Sequence, residues 1–120
     1  MMANAGMDEG QVDTILEILS DRYCRRIIHS IIDQPKSAFE ISLVSGILLS
    51  TVYRKLKMLQ NYKLLSTRCL LRDDGKKLFL YQSKIRSISA RLGKDLLDVE
   101  VEPNSQFIQT ARTQAGTAGI

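Results

Sequence analysis

Apolar residues in the first half of the chain recur every three or four positions, which is the spacing of an amphipathic helix. The first predicted helix covers residues 8–19. A second is predicted from an N-cap at Ser20 to about Asp33 and ends there because Pro35 pushes the residue before it out of helical geometry. The apolar positions of these two helices are Val12, Ile15, Leu16, Leu19, Ile27, Ile28, Ile31 and Ile32.

A short third helix is predicted over residues 38–45. Ser37 and Glu40 have the spacing of a capping box, in which each side chain bonds the other residue's backbone N–H. Gly46 fits the position after the helix, where a left-handed backbone is easy only for glycine. The expected core contacts of this helix are Phe39, Ile41 and Val44.

A fourth helix is predicted from Thr51 to Asn61, with Ser50 as its N-cap. Its apolar residues share one face, so the opposite face is left for polar residues. The residues of the apolar face are Val52, Leu56 and Leu59.

After Asn61 the pattern changes to the alternation of β-strands. Residues 65–71 and 77–83 are predicted to pair as a hairpin, because Asp74-Gly75 is a strong turn signal between apolar runs. A second hairpin is predicted over residues 85–102. A helix over residues 85–97 also fits the spacing of its apolar residues.

The order of these elements predicts a mainly α protein with a β-wing, in the α+β class. It is the order of a winged helix-turn-helix, with a three-helix core, a hairpin wing and a second C-terminal hairpin. The DNA-binding domain is predicted over residues 8–83, followed by the hairpin at 84–102. Residues 1–7 and 103–120 are expected to be flexible.

Positive charge is concentrated in one third of the chain. Residues 50–91 hold eleven Lys and Arg against two Asp and Glu, a net charge of +9, whereas residues 1–49 and 92–120 carry −3 and −2. A segment this basic attracts a polyanion. The plainer alternative is a solvated basic surface that has no partner.

The fourth helix and first hairpin carry these charges, and the second helix of a helix-turn-helix enters the major groove of DNA. Arg54 is predicted to pair with guanine, and Thr51 and Tyr53 to meet base edges or phosphate. Contacts to phosphate are predicted for Ser50, Lys55, Lys57 and Lys63. The hairpin residues expected to reach the backbone or minor groove are Arg72, Lys76 and Lys77. Capping by Ser50, packing of Tyr53 under the wing and simple solvation of the cations remain alternatives.

Three stretches resemble the winged-helix domain of ArsR-type regulators, above all the small archaeal members. They are residues 19–28, residues 37–47 and the run Leu49-Ser50-Thr51-Val52-Tyr53-Arg54 with Leu56 and Leu59. With the Asp-Gly wing, the resemblance covers residues 12–83. It implies a three-helix core with a β-wing, sequence-specific binding of double-stranded DNA in transcription regulation, and often a homodimer. We expect the dimer to form through the first helix and the C-terminal segment, residues 84–102. Metal sensing is not expected, because residues 37–45 lack the paired cysteines of that branch.

Other chemistry has little support in the sequence. His29 is the single histidine, and the two cysteines, Cys24 and Cys69, lie far apart, so neither a Cys/His metal site nor a catalytic triad is predicted. No enzyme activity and no cofactor are expected. Without an apolar run of membrane length or an export signal, the chain is expected to be cytoplasmic, with reduced thiols.

Two other functions are consistent with the same pattern. Winged helices also bind proteins inside transcription assemblies, and Leu43, Val44, Leu48 and Leu49 exceed what the core of a helix-turn-helix needs. A non-specific nucleoid protein would use the phosphate contacts without reading bases.

Overall fold

The computed structural model of the chain describes residues 6–94 and 96–105. Within these residues four helices are followed by two antiparallel hairpins, an α+β fold that is compatible with a winged helix. The elements are α1 (Glu9–Ser20), α2 (Arg22–Ser30), α3 (Ala38–Ser45), α4 (Leu49–Asn61), β1 (Leu65–Leu71), β2 (Lys77–Ser83), β3 (Ile85–Leu92) and β4 (Leu97–Pro103).

The junction between α1 and α2 differs from its prediction by one residue. Ser20 is the last residue of α1, and its hydroxyl donates to the Glu17 carbonyl at 2.7 Å. Asp21 caps α2 instead, because its carboxylate accepts from the backbone N–H groups of Tyr23 at 2.8 Å and Cys24 at 3.2 Å. The prediction of Ser20 as the cap is therefore wrong.

The helix α2 ends at Ser30, three residues before the predicted end at Asp33. The next two carbonyls are used by tertiary contacts. The Ile31 carbonyl accepts from the Ser83 backbone N–H at 3.0 Å. The Ile32 carbonyl accepts from the side-chain amides of Gln82 at 3.2 Å and Asn104 at 2.8 Å. These bonds hold residues 31 and 32 against the hairpins and satisfy carbonyls that a helix ending at Asp33 would have left without an intrahelical partner.

The third helix has the predicted bounds and both bonds of the capping box between Ser37 and Glu40. Gly46 ends it with φ of 72°, in the left-handed region. The expected core contacts are only partly right. Ile41 is buried, but Phe39 and Val44 are 60% and 62% exposed.

Two apolar clusters hold the fold together. The larger one joins α2, α3 and α4, with Ile18 of α1 and Leu65 of β1. The smaller one joins Val12 and Ile15 of α1 to Ile85 and Val99 of the second hairpin. The apolar stripe of α1 is therefore covered by the second hairpin of the same chain.

Both hairpins are confirmed. In the first, β1 and β2 pair from Leu65 opposite Ser83 to Leu71 opposite Lys77, and Gly75 has φ of 84° in the turn. In the second, β3 pairs with β4, so the alternative helix over residues 85–97 is wrong. The folded part extends past residue 102, because Pro103 belongs to β4 and Asn104 is buried. Residues 1–5 and 106–120, which include most of the predicted flexible ends, lie outside the described residues.

Candidate nucleic-acid interface

The fourth helix has the predicted division into two faces. Val52, Leu56 and Leu59 are buried in the larger cluster. The face that points away from this core is polar and cationic. Its side chains are Ser50, Tyr53, Arg54 and Lys57, all exposed, and Thr51, which is half-buried. A row of donors and cations on an exposed helix suits contact with the edges and phosphates of a nucleic acid.

The helix begins at Leu49, two residues before the predicted start at Thr51, so Ser50 is not its N-cap. Leu48 is at the cap position, and its carbonyl accepts the first helical bond, from the Val52 N–H at 2.9 Å. Its side chain makes no cap hydrogen bond. Ser50 is instead an exposed residue of the first turn.

Lys55 departs from the predicted set of phosphate contacts. Its side chain is 14% exposed and forms an ion pair with Asp21, the cap of α2. Burial by itself raises the pKa of Asp21, but hydrogen bonds from Lys55 and from the Cys24 and Tyr23 backbone outweigh it, so the pKa lies below its usual value. Lys55 thus joins α4 to α2 and has its charge neutralised inside the protein.

The tip of the first hairpin presents three exposed cations, Arg72, Lys76 and Lys77. The turn is held by the Arg72 N–H bonding the Lys76 carbonyl at 2.8 Å and by the Asp74 carboxylate accepting from the Lys76 N–H at 3.0 Å. Arg72 also lies 3.5 Å from Asp74, in an exposed and therefore weak pair. The tip keeps a net positive charge that is open to solvent.

Lys63 lies between the fourth helix and the first hairpin. It has φ of 62°, a left-handed conformation that is uncommon for a residue with a side chain. Its N–H donates to the Gln60 carbonyl at 2.8 Å, and the residue is exposed. The chain therefore turns sharply from helix to strand and leaves this lysine available on the surface.

Tyr53 lies close to the wing. Burial, with a smaller contribution from Tyr53, raises the pKa of Tyr81 on β2. The exposed fraction of Tyr53 is nevertheless 54%. With more than half of its surface in solvent, Tyr53 is available for contact with a ligand, and its packing under the wing stays a prediction.

Leu43 and Leu48, two of the apolar residues that exceed the needs of the core, are 67% and 76% exposed. Arg26, His29 and Lys36 line a groove of about 670 Å³ between α2 and α3. This groove was not predicted from the sequence, although the spacing of Arg26 and His29 places them on one face of α2.

The two thiols lie in different environments. Cys24 is buried, and burial raises its pKa to about 11, so it stays protonated at neutral pH. Cys69 is exposed on β1. Across residues 6–94 and 96–105, no cluster of three or more His, Cys, Asp or Glu side chains is arranged to hold a metal ion. In the same residues, no helix has the length and apolar character needed to cross a membrane.

No protein-family model matches the sequence, and no curated protein is significantly similar to it.

Proposed function

We propose that this protein is a winged-helix transcription regulator that binds double-stranded DNA, with the outer face of α4 in the major groove. The observation that carries the proposal is the separation of the two faces of α4. The apolar face lies in the core, and Arg54 and Lys57 extend from the opposite face into solvent. A helix fixed by its inner face can present donors to base edges without rearrangement.

The first hairpin supports the proposal as a wing. Its tip carries Arg72, Lys76 and Lys77, and a hairpin of this kind follows the recognition helix in winged-helix proteins. In the proposed complex these cations contact phosphates, as Lys57 and Lys63 do, while Arg54 reads a base. Lys55 is left out of this set because Asp21 already neutralises it. The resemblance to ArsR-type regulators, the small archaeal ones above all, points the same way. We place the protein in the cytoplasm and assign it no catalytic role.

The experiment that tests sequence-specific regulation is a selection of bound duplexes from a random pool. A regulator yields one enriched motif, and its affinity for that motif exceeds its affinity for random duplex by a thousandfold or more. Binding that enriches no motif would instead support the non-specific nucleoid protein. No recovery of duplex at low salt would refute DNA binding.

A protein-binding module is the second candidate, and the exposed apolar surface of α3 favours it. Phe39, Leu43 and Val44 are each at least 60% exposed, although apolar side chains of this size are usually covered. Both functions fit one molecule if α4 binds DNA while α3 contacts another protein. Loss of a partner on substitution of Leu43 by serine, with DNA binding intact, is the result expected for that combination.

We further propose a homodimer, formed through the far end of the second hairpin. Leu92 is 82% exposed there, and Leu96 is 37% exposed. The apolar stripe of the first helix is not available for contact with a second subunit, because Val12 and Ile15 are buried against the second hairpin of the same chain. Light scattering should report a dimer for the wild type and a monomer for Leu92→Lys. A monomeric wild type at high concentration contradicts this proposal.

A further inference from the structure

The N-cap of α4 is unlike those of the other helices in the described residues. Asp8, Asp21 and Ser37 cap α1, α2 and α3, and each accepts a hydrogen bond from a backbone N–H of its helix. At the same position α4 has Leu48, with φ of −56° and ψ of 139° and no side-chain bond. These angles lie within about 25° of those of Ser37, the cap of α3, at φ of −74° and ψ of 164°, but the leucine side chain has no acceptor.

Leu48 is also unfavourable at this site because of its exposed apolar side chain. Its side chain is 76% exposed, so it holds apolar surface in water at the end of a helix. A serine at this site would satisfy a backbone N–H and remove that apolar surface. Leu48 thus lacks a capping group and exposes an apolar side chain, and neither feature stabilises the folded protein. Such a residue is expected where its side chain contacts a ligand or partner outside the chain.

We propose that Leu48 is a base-reading residue that packs on the C5-methyl group of thymine in the major groove. The inference rests on the proposed function, because the N-terminal residues of a recognition helix contact base edges. The thymine methyl is the apolar group that bases present in that groove, and leucine has the matching chemistry.

The neighbours of Leu48 agree with this assignment. Thr51 lies one turn along α4 on the same side of the helix and is half-buried. Arg54 follows after another turn and is exposed. The succession from apolar to cationic side chains fits a site in which thymine lies beside guanine.

Deoxyuridine tests the proposal directly, because it differs from thymidine only by the missing methyl group. Each thymine of the selected site is replaced in turn, and Kd is measured by fluorescence anisotropy for the wild type, Leu48→Ser and Leu43→Ser. Leu43 is the matched control, since it is an exposed leucine of α3 rather than α4.

For the wild type, we expect replacement of one or two adjacent thymines to raise Kd about fourfold each, the loss expected for one buried methyl group. Leu48→Ser should bind the thymine and uracil duplexes equally, while Leu43→Ser should keep the difference. Leu48→Ser should also melt about 4–8 °C higher, because the new hydroxyl caps the helix. A variant that melts at a higher temperature and no longer distinguishes thymine from uracil has lost recognition of the methyl group without losing its fold.

Three results would overturn the inference while leaving DNA binding in place. They are a wild type that is indifferent to every uracil, a Leu48→Ser variant that still prefers thymine, and a Leu43→Ser variant that loses the preference equally. The first of these needs no variant to fold. A wild type that binds no duplex at low salt refutes the proposed function, and this inference with it.

Discussion

The helices α3 and α4 are consecutive, pack on each other and bury their inner faces in the same core, but their outer faces differ. The inner residues are Ala38 and Ile41 in α3, and Val52, Leu56 and Leu59 in α4. The outer face of α3 is apolar, with Phe39 and Leu43 exposed. The outer face of α4 is polar and cationic, with Arg54 and Lys57 exposed.

This difference separates the faces that stabilise the fold from the faces that are open to solvent. Apolar residues that meet the core contribute to stability in either helix, whereas the outer faces contribute little and are free to match a partner. Cations suit a polyanion, and an apolar face suits another apolar surface. In the function proposed above, nucleic acid would contact α4, and α3 would be left for contact with another protein.

The largest expected effect tests the shared core. Leu56→Ala in α4 and Ile41→Ala in α3 should each lower the free energy of unfolding by about 2–5 kcal/mol, because each removes a buried side chain and leaves a cavity. Their exposed fractions are 1% and 0%. Urea denaturation measures both. An unchanged midpoint for either variant would mean that its helix does not belong to the common core.

The bounds of the first hairpin and the two faces of α4 were predictable from the sequence, whereas the spacing of apolar residues in the second hairpin also allowed a helix. The Asp74-Gly75 turn fixes the first hairpin locally, and Val52, Leu56 and Leu59 define one stripe of a helix. The outer face of α3 was not predictable in the same way. Apolar residues surround this short helix, so spacing alone does not tell that Ile41 is buried while Phe39 and Val44 are exposed.

Long-range contacts account for two other errors, the end of α2 and the role of Lys55. The end of α2 depends on Gln82, Ser83 and Asn104, which bond the carbonyls of residues 31 and 32 and are distant in sequence. Lys55 similarly depends on Asp21, which is 34 residues away. No local pattern indicates that one lysine of α4 is paired internally while Lys57, two residues later, extends into solvent.

The next largest effect concerns base reading by α4. Arg54→Ala should reduce discrimination at one base pair by about 1–3 kcal/mol, because a bidentate contact to guanine is lost. Its melting temperature should stay near that of the wild type, since Arg54 is exposed. Selection from random duplexes measures the preference. An enriched motif identical to that of the wild type would remove Arg54 from the base-reading set.

Lys55 and Lys57 belong to the same helix, but only Lys57 is expected to contact phosphate. Lys57→Ala should reduce the slope of log binding constant against log salt by about one unit, because one phosphate contact is lost. Lys55→Ala should leave the slope unchanged but lower stability, because Asp21 loses its partner. Titrations at several salt concentrations and thermal melts separate the two. Equal changes in slope would mean that the ion pair opens on DNA.

The smallest effect is the pH dependence of the link between α2 and α4. The pKa of Asp21 is lowered in the folded protein, so its contribution to stability is present above its unfolded value, about 4, and is lost as pH falls through the folded value. Asp21→Asn keeps a capping side chain and removes the charge. The wild type should be more stable than this variant at pH 7, and the difference should shrink below about pH 4. A difference that stays constant down to pH 2 would contradict the role of the Asp21 charge.

The most direct test of the central claim, that the outer face of α4 binds DNA, is an anisotropy titration of a labelled random duplex between low and physiological salt. The wild type is compared with Arg54→Ala/Lys57→Ala and with Arg91→Ala/Lys94→Ala, which removes two exposed cations from the second hairpin. We predict salt-sensitive binding that the α4 variant weakens and the hairpin variant retains. Equal binding by both variants, or no binding by the wild type, would contradict the claim.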